Sequence, residues 1–462
     1  MKKFNITVIG AGPGGYVAAI KAAQLGAKVA IIEKNAHGGT CLNRGCIPTK
    51  AFVACADAYQ KIIDAEHFGI AVKKPTFDWK KIVERKNSIV KKLNTGIGAL
   101  LKSNKIEIIT GEAKLISKNK IEILNGKISE TIESDKIIIA TGSEPAKPKF
   151  FPFDGKKVLD STDLLNISKL PKSIIIVGGG VIGCEFANIL NTFGVKVTVV
   201  EMLDRILPLE DKDISAAVTK KFKTSGIEVI TGAAIENVKV TAKGVGGIIE
   251  GKPISAEMML VGVGRALNTK NIGLENTNVK LDDKGAVIVN ERMQTTVANI
   301  YAIGDITNKL QLAHMASAQG IVAAINAAGG MEKIDYNVVP NCIFTIPEIG
   351  SVGLTEDQAK EKAEKIKVGK FYYAALGKAL AAGEPDGFYK IIADANTDEI
   401  LGVHIYGAHA TDIIAEAAVA MKLESTVEEL GKTIHAHPTL AEGVMEAAHA
   451  LHGECIHMPA AR

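Results

Sequence analysis

The sequence predicts an α/β protein with two Rossmann-like dinucleotide-binding domains and a C-terminal α+β dimerisation domain. Three observations lead to this prediction. The 462 residues are enough for about three domains at roughly 150 residues each. A glycine-rich strand–turn–helix pattern occurs twice, and the C-terminal part alternates strand-like and helix-like segments. Hydrophobic residues make up 47% and charged residues 23% of the chain, which is typical of a globular protein and excludes a disordered one.

The first copy of the pattern lies at the N-terminus. A β-branched segment at 6–9 leads into the glycine-rich run 10–15, a helical stretch follows, and a second strand closes on Glu33. The second copy follows the first by 168 residues at each position, with its parts at 174–177, 178–183 and Glu201. A lone G-x-G-x-x-G is weak evidence, but a strand before it, a helix after it and a later acid form the context of a dinucleotide fingerprint. Two bound dinucleotides are therefore favoured over two purely structural turns.

Each position of the fingerprint has its own physical role. Gly10 and Gly178 make the tight turn from strand to helix. Gly12 and Gly180 lack a Cβ, so a pyrophosphate can approach the unpaired N–H groups at the start of the helix. The third glycine lets helix and strand pack closely, and the acid accepts hydrogen bonds from ribose hydroxyls; these residues are Gly15 and Gly183, and Glu33 and Glu201.

The acid of the second copy indicates which nucleotide binds there. A carboxylate at Glu201 would repel a 2′-phosphate, and no arginine occupies that position, although Arg205 lies four residues on. The second site is therefore predicted to prefer NAD over NADP.

Two further strands end in glycine and indicate that the first domain resumes late in the chain. They lie at 136–142 and 299–304, and Asp305 follows the second of them. The Asp305 carboxylate can bond a polar group of a ligand or can cap a short helix, and the segment alone leaves both alternatives open.

The chain from about Asn341 onward predicts an α+β module with apolar helix faces available for dimerisation. Its predicted strands are 388–393 and 400–406, and its predicted helices are 412–422 and 439–449, with Pro438 starting the last helix.

Cys41 and Cys46 form the most informative pair of side chains outside the glycine-rich turns. At the start of a helix they would lie about one and a half turns apart, and a local unwinding would bring the sulfurs together. A helix N-terminus also lowers the pKa of a thiol. A zinc site is disfavoured because no second cysteine pair exists. A buried pair of free thiols does not suit the intervening Arg44 and Gly45, and a structural disulfide is disfavoured because lasting disulfides are rare in cytoplasmic proteins. A redox-active pair is therefore the preferred interpretation. The other cysteines are Cys55, Cys184 and Cys342, which are expected to pack in the core, and Cys455, which has no assigned role.

A two-electron thiol pair beside two dinucleotides suggests an electron route between a thiol substrate and a nicotinamide. Thiols do not pass hydride directly to NAD, whereas a flavin accepts both thiolate addition and hydride. The sequence therefore predicts FAD at one site and NAD at the other.

Composition limits the partners and the compartment. A net charge of +4 is too balanced to favour nucleic acid or a membrane surface. Six cysteines are too few for a disulfide-built secreted domain. No apolar run approaches the roughly 20 residues of a membrane span, and the N-terminal apolar stretch is broken by glycines where a signal peptide would continue. A cytoplasmic protein is expected.

Two motifs resemble those of a known family. The run from Gly39 to Lys50 (GTCLNRGCIPTK) resembles the redox motif of the pyridine nucleotide–disulfide oxidoreductases. Near the C-terminus, 435–442 (HAHPTLAE) is most similar to members that act on dihydrolipoamide. The resemblance covers essentially the whole chain and implies four parts: an FAD-binding domain at 1–147, an NAD-binding domain at 148–272, a central domain completing the FAD site at 273–340, and an interface domain at 341–462.

The resemblance implies oxidation of protein-bound dihydrolipoamide to lipoamide with reduction of NAD. Cys41 would exchange with the substrate, and Cys46 would face the flavin as a thiolate. The enzyme would be an obligate homodimer that receives its substrate from the lipoyl domain of a 2-oxoacid dehydrogenase or glycine-cleavage complex. Residues implied beside the cysteines are Lys50 with its ion-pair partner Glu185, and the acid–base group His437 with Glu442 orienting it, both reaching the partner subunit's disulfide.

The fingerprints and the resemblance together predict the cofactor-binding residues. Those for FAD are Gly10, Gly12, Gly14, Gly15, Glu33, Lys34, Gly39, Thr40, Lys50, Ala113, Thr141, Gly142, Asp305 and Ala313. Those for NAD are Gly178, Gly180, Val181, Ile182, Gly183, Glu201 and Gly264.

The histidine and glutamate also make chemical sense by themselves. Thiol–disulfide exchange needs a thiolate, and a thiol with a pKa near 8.5 is mostly protonated at neutral pH. A histidine can accept that proton, and a carboxylate can fix its tautomer and raise its basicity. The spacing of His437 and Glu442 does not by itself show that they bond.

Three alternatives compete with this hypothesis. Histidines cluster near the C-terminus and could bind a metal, but no Cys or Asp pattern completes a site, so no metal is predicted. A related disulfide reductase could act on another thiol, although Glu201 disfavours the NADP-dependent types and Cys455 alone is not a second redox pair. A non-catalytic dinucleotide sensor is disfavoured because it would need neither the thiols nor His437 and Glu442.

Overall fold

The first sheet is built around β1, a strand of mostly buried, β-branched residues. Such strands are typical of parallel sheets that are covered on both faces. The strand order is β3-β2-β1-β6-β5-β4, with β1 parallel to both β2 and β6. The computed structural model describes residues 1–459 and gives the elements of this part as β1 (Lys2–Ile9), α1 (Pro13–Gln24), β2 (Val29–Glu33), α2 (Gly39–Arg44), α3 (Cys46–Ile63), a 3₁₀ helix (Asp64–Phe68), α4 (Trp79–Ser103), β3 (Glu107–Thr110), β4 (Glu112–Ser117), β5 (Lys120–Asn125), β6 (Ile128–Ile139) and β7 (Ser143–Pro145).

The second sheet repeats the design. It is parallel, with strand order β11-β10-β9-β15-β8, and a small antiparallel sheet β12-β13-β14 lies beside it. The elements are β8 (Val158–Leu159), α5 (Ser161–Leu164), β9 (Ser173–Val177), α6 (Val181–Thr192), β10 (Lys196–Val200), α7 (Lys212–Thr224), β11 (Glu228–Ile230), β12 (Glu236–Thr241), β13 (Gly244–Ile249), β14 (Lys252–Ala256), β15 (Met258–Val261) and β16 (Arg265–Leu267). β16 pairs with β7 and leads the chain back towards the first sheet.

The chain then completes the first sheet. After a 3₁₀ helix (Leu274–Asn276), β17 (Ile300–Ala302) pairs in parallel with β6. Another 3₁₀ helix (Gly304–Thr307) follows, and α8 (Ala313–Ala327) packs on α1. The late strand therefore belongs to the first sheet, and the bounds of the domains stay a prediction.

The C-terminal part is the predicted α+β module. Its antiparallel sheet has the order β18-β19-β22-β21-β20, with helices packed on it. The elements are β18 (Asn341–Ile343), β19 (Glu348–Gly353), α9 (Glu356–Lys362), β20 (Ile366–Tyr372), a 3₁₀ helix (Tyr373–Ala375), α10 (Gly377–Ala382), β21 (Phe388–Asp394), β22 (Ile400–Gly407), α11 (Ala410–Lys422), α12 (Val427–Lys432) and α13 (Glu442–His452). The predicted interface domain ends at residue 462, and its last three residues lie outside the described range.

The start of the last helix was predicted wrongly. The sequence predicted a helix from Thr439, directly after Pro438, but α13 begins at Glu442. The Thr439 amide donates to the Glu442 carboxylate and the Thr439 hydroxyl to the Ala436 carbonyl. These side-chain hydrogen bonds hold the preceding segment as a loop.

A shared apolar cluster joins α3 and α4 to the second sheet. Trp79, the single tryptophan of the chain, packs against Phe52 of α3 and against Phe193, which follows α6. Its indole N–H donates to the Ile167 carbonyl at 3.0 Å. The helix that carries Cys46 is thereby fixed against the helix that follows the second glycine-rich turn. Among residues 1–459, no helix is both long and apolar enough to cross a membrane.

Candidate active site

The two cysteines lie on either side of a break between helices. Cys41 belongs to α2, Gly45 has a non-helical backbone (φ −147°, ψ −110°), and Cys46 is the first residue of α3. The Thr49 hydroxyl donates to the Gly45 carbonyl at 2.7 Å. This is the local unwinding that the spacing requires, and it brings the two thiols close enough for each to shift the pKa of the other.

The pair is electrostatically asymmetric. The hydrogen bond from the Cys41 thiol is the main reason that the pKa of Cys46 falls to about 7, and the Lys50 ammonium lowers it further. The same hydrogen bond, together with burial, raises the pKa of Cys41 well above its usual value. In the reduced pair, Cys46 therefore carries the thiolate and Cys41 the proton.

Lys50 is held one turn after Cys46 by a buried carboxylate. Its Nζ lies 2.7 Å and 2.9 Å from the two oxygens of Glu185, which is buried on α6. The Phe344 amide also donates to Glu185, at 3.0 Å, and Lys50 Nζ lies 4.3 Å from the centre of the Phe344 ring. Three separate parts of the chain thus fix one positive charge beside the thiolate.

Replacing Lys50 with methionine is expected to raise the pKa of Cys46. The positive charge favours the thiolate, so its loss should move the midpoint of thiolate formation in the reduced protein from about 7 to a higher pH. The rate of iodoacetamide reaction with Cys46, measured against pH, reports this midpoint. Lys61→Met, on the exposed part of the same helix, is the matched control and should leave it in place. An unchanged midpoint in Lys50→Met would show that the charge does not act on Cys46.

The two glycine-rich turns have the same geometry. Gly10 and Gly178 have φ of +100° and +106°, and a Cβ at either would lie 2.4 Å or 2.5 Å from a backbone carbonyl oxygen. A Cβ at Gly15 or Gly183 would lie 1.9 Å from the carbonyl oxygen of the first glycine of its turn. Only glycine fits these positions, as the fingerprint predicts.

The carboxylate that ends each copy of the pattern accepts a hydrogen bond from the glycine-rich turn of the same copy. Glu33 accepts from the Ala11 amide at 2.8 Å, and Glu201 accepts from the Gly179 amide at 2.6 Å. Each carboxylate takes a second amide from the residue two positions later. Arg205 donates instead to the Pro208 carbonyl at 3.0 Å.

The helix ends around these turns are suited to diphosphates. α1, α6 and α8, which start at Pro13, Val181 and Ala313, begin without a side-chain cap and without an acid in the first turn. A Cβ at Gly180 would meet nothing within 4 Å. Free backbone N–H groups facing open space are the donors that a pyrophosphate needs, so the residues present fit both FAD and NAD.

Asp305 is held by side chains from two other segments. Its carboxylate accepts from the Ser143 hydroxyl and lies 3.6 Å from Arg265 Nε, and Arg265 also donates to Ser143. It does not cap the 3₁₀ helix in which it lies, so the ligand alternative remains. Ser143 and Arg265 were not predicted from the sequence, where their signal is their position directly after Gly142 and Gly264. The buried Gln319, which accepts from the Gly304 amide at 2.6 Å, was not predicted either.

The remaining predicted cofactor residues are placed as follows. Lys34 is exposed, and its Nζ lies 3.5 Å from a Glu112 oxygen. Thr141 donates to the Asn268 carbonyl at 2.9 Å. The others lie beside the two turns or the first sheet: Gly14 against the backbone of α8, Gly39 against the first turn, Thr40 near Ser143, Ala113 buried on β4, Ile182 at the start of α6, and Gly142 and Gly264 with open space at their Cβ positions.

His437 and Glu442 are brought together. His437 Nδ1 lies 2.9 Å from a Glu442 oxygen, and the other oxygen accepts from the Thr439 amide at 2.7 Å. Burial opposes ionisation of Glu442, but these two donors hold its pKa below the usual value. The His437 side chain is 78% exposed, so Nε2 faces outward while Nδ1 is fixed. Within residues 1–459, neither ring nitrogen of His437 hydrogen-bonds a cysteine.

Two of the other C-terminal histidines have carboxylate partners. His435 lies 2.6 Å from Glu416 and bonds the Thr433 carbonyl, and His457 lies 2.7 Å from Glu446. In the described part of the chain, no group of three His, Cys, Asp or Glu side chains is arranged to hold a metal ion.

Comparison with known proteins identifies the family. Residues 4–320 match the model of the pyridine nucleotide-disulphide oxidoreductases, and residues 339–448 match the dimerisation domain of the same family. The chain belongs to this family. FAD and NAD are its cofactors, and the C-terminal module is its dimerisation domain.

Curated relatives and solved structures cover nearly all of the chain. The dihydrolipoyl dehydrogenase of Bacillus subtilis is 45% identical and that of Chlamydia trachomatis 46% identical, covering 98% and 99% of this chain and 99% of each relative. LpdA from Mycobacterium tuberculosis superposes with a TM-score of 0.91 at 28% identity, covering 97% of this chain and 99% of that one. The HOCl-induced flavoprotein disulfide reductase RclA from Escherichia coli, solved as a Cu(II) complex, has a TM-score of 0.88 at 29% identity over the same shares.

Proposed function

We propose that the chain is a dihydrolipoyl dehydrogenase that oxidises protein-bound dihydrolipoamide to lipoamide and reduces NAD. The observation that carries this proposal is the asymmetric Cys41–Cys46 pair, found in a chain 45% identical over nearly its full length to an enzyme of that name. His437 and Glu442 supply the acid–base pair that dithiol exchange needs.

The reaction begins at the Cys41–Cys46 disulfide. His437 accepts a proton from one substrate thiol, and the resulting thiolate attacks Cys41 Sγ. A substrate–Cys41 bond forms, the Cys41–Cys46 bond breaks, and Cys46 leaves as a thiolate, which its low pKa favours.

The second half of the exchange closes the product ring. The second substrate sulfur attacks the first, lipoamide forms, and Cys41 leaves and takes the second proton. The substrate has lost two electrons and two protons; the electrons and one proton reside on the cysteine pair, and the other proton is on His437. Bound FAD supplies two-electron transfer between this pair and NAD. The net reaction converts dihydrolipoamide and NAD⁺ to lipoamide, NADH and one proton.

The cofactor sites follow the two glycine-rich turns. We assign FAD to the turn at 10–15 with Glu33, Asp305 and the start of α8, and NAD to the turn at 178–183 with Glu201. The division into domains at 1–147, 148–272, 273–340 and 341–462 is part of the same proposal.

The proposal includes a homodimer and a lipoyl-domain partner in the cytoplasm. Among the described residues of its own chain, His437 hydrogen-bonds no cysteine, and the dimerisation domain supports a second copy whose disulfide it would serve. The low cysteine content favours a reducing compartment.

A direct assay tests this function. Purified protein containing FAD is mixed with dihydrolipoamide and NAD, and NADH is followed at 340 nm. Turnover with NAD and a lower kcat/KM with NADP are expected, because Glu201 repels a 2′-phosphate. A preference for glutathione disulfide in the reverse direction would instead favour a related reductase, and absence of both activities would contradict the proposal.

A further inference from the structure

A line of polar side chains crosses the sheet of the interface domain from edge to edge. The strand registers pair Asn341 with Ser351, Ser351 with His404, His404 with Lys390, and Lys390 with Lys370. Residues that lie opposite one another on adjacent strands point to the same face of a sheet. These five side chains, here named the polar row, therefore share one face.

The polar row contacts an acidic turn of the NAD-binding part, formed by Glu210, Asp211 and Asp213 at the start of α7. Asn341 Nδ2 donates to one oxygen of Glu210 at 2.6 Å, and Ser351 Oγ donates to the other at 2.8 Å. Glu210 and Asp211 are both buried. Each oxygen of the buried Glu210 carboxylate therefore has its own partner in the interface domain.

Lys390 binds the rest of the acidic turn. It is 1% exposed, and its Nζ lies 2.7 Å from Asp211, 2.6 Å from Asp213 and 2.8 Å from Glu356. Lys370 adds a second contact to Asp213, at 2.6 Å. A buried charge is tolerated when it is fully paired, and losing one partner leaves the others uncompensated. The acidic turn is therefore held in one place.

The acidic turn lies at the far end of the loop that begins at Glu201. Within that loop, the Glu210 amide donates to the Leu207 carbonyl at 3.0 Å, and the Leu207 amide donates to the Gly179 carbonyl at 2.8 Å. The Gly179 amide in turn donates to the Glu201 carboxylate at 2.6 Å. A continuous set of contacts thus runs from the polar row to the second glycine-rich turn.

We propose that the polar row positions Glu201 and the second glycine-rich turn for nucleotide binding. Asn341, Ser351 and Lys390 are then positioning residues that act through the acidic turn. Affinity for NAD is thereby set in part by the interface domain, although the polar row belongs to neither glycine-rich turn. The inference rests on the proposed function in naming NAD as the nucleotide.

Two variants loosen the acidic turn by different means. Asn341→Ala with Ser351→Ala removes both donors to Glu210. Lys390→Met with Asp211→Asn removes the central buried pair together, while Asp213 keeps Lys370 and Glu356 keeps Lys360 as a partner. Lys221→Met is the matched control, because it breaks a 2.8 Å pair between α7 and Asp386 of the interface domain without touching the acidic turn.

NAD⁺ binding to the oxidised FAD-containing protein, measured by isothermal titration calorimetry, is the main readout. Both double variants are expected to raise the Kd and the KM for NAD⁺ by about tenfold, the ordinary size of coupling between sites. The KM for dihydrolipoamide, kcat, FAD content and the control should stay unchanged. This separation distinguishes positioning from a general loss of structure.

Failure of this inference and failure of the proposed function give different results. An NAD⁺ Kd within about twofold of wild type in a folded double variant would overturn the inference. Equal weakening of NAD⁺ binding in Lys221→Met would also overturn it, because any contact between these domains would then have the same effect. If the wild-type protein binds NAD⁺ but does not oxidise dihydrolipoamide, the proposed substrate is wrong, and the comparison of the NAD⁺ Kd between variants still tests the inference. If one double variant does not retain FAD, the other decides.

Discussion

Replacing Cys46 with serine is expected to lower dihydrolipoamide-dependent NAD reduction by at least about 10⁴-fold, in line with the loss of other catalytic nucleophiles. The substitution removes the thiolate whose pKa of about 7 makes it a leaving group, and a serine alkoxide cannot replace it. FAD content should remain that of the wild type, because the glycine-rich turn and Glu33 are untouched. NADH oxidation by an artificial electron acceptor should persist, since it requires no thiol exchange.

Cys55→Ser is the matched control for this prediction. Cys55 lies on the same helix, α3, but is one of the packing cysteines rather than a member of the pair. It should retain both dihydrolipoamide turnover and dye reduction. Substantial dihydrolipoamide turnover in Cys46→Ser, with FAD bound, would contradict a disulfide mechanism.

Replacing His437 with glutamine is expected to lower dihydrolipoamide turnover by about 10² to 10⁴-fold, the usual contribution of a general acid–base group. The variant loses the group that accepts the proton of the substrate thiol, while the cysteine pair and both nucleotide sites remain. Dye reduction by NADH should be unchanged. The loss should shrink as the pH rises towards the pKa of the substrate thiol, because the thiolate then forms without help.

Two further variants serve as comparisons for His437→Gln. Glu442→Gln keeps an acceptor near His437 Nδ1 but loses the negative charge, so a smaller decrease is expected. His67→Gln changes an exposed histidine of the 3₁₀ helix Asp64–Phe68 and should have no effect. A decrease in His437→Gln that is equal at all pH values would indicate that the ring has a structural role and not a proton-transfer role.

Much of the architecture could be predicted because its determinants are local. The turns at Gly10 and Gly178 follow from neighbouring residues that must form a strand, a tight turn and a helix in succession. Glu33 and Glu201 follow from the position at which the next strand ends. The break at Gly45 between the cysteines was likewise implied by their spacing.

Features that depend on distant parts of the chain could not be predicted in this way. Asp305 is held by Ser143 and Arg265, which lie far away in sequence and have no motif linking them. The start of α13 depends on a hydrogen bond between the Thr439 amide and the Glu442 side chain, which the helix pattern does not encode.

The polar row illustrates the same limit more strongly. Its five residues lie on five different strands. In the sequence, each of them has the pattern of an ordinary polar residue on the exposed face of a strand. Their alignment depends on the register of the whole sheet, and their partners belong to another domain. Charged residues that are buried for pairing leave no periodic signal in the sequence.

The most direct test of the central claim is the redox state of Cys41 and Cys46 before and after reduction by NADH. FAD-containing protein is treated with iodoacetamide under anaerobic conditions, with and without one equivalent of NADH, and the labelled peptides are mapped by mass spectrometry. The proposed relay predicts no label on either cysteine without NADH and label on both after NADH, with the buried Cys184 unlabelled throughout. Equal labelling of Cys41 and Cys46 in the two samples would show that the pair does not exchange electrons with the nucleotide.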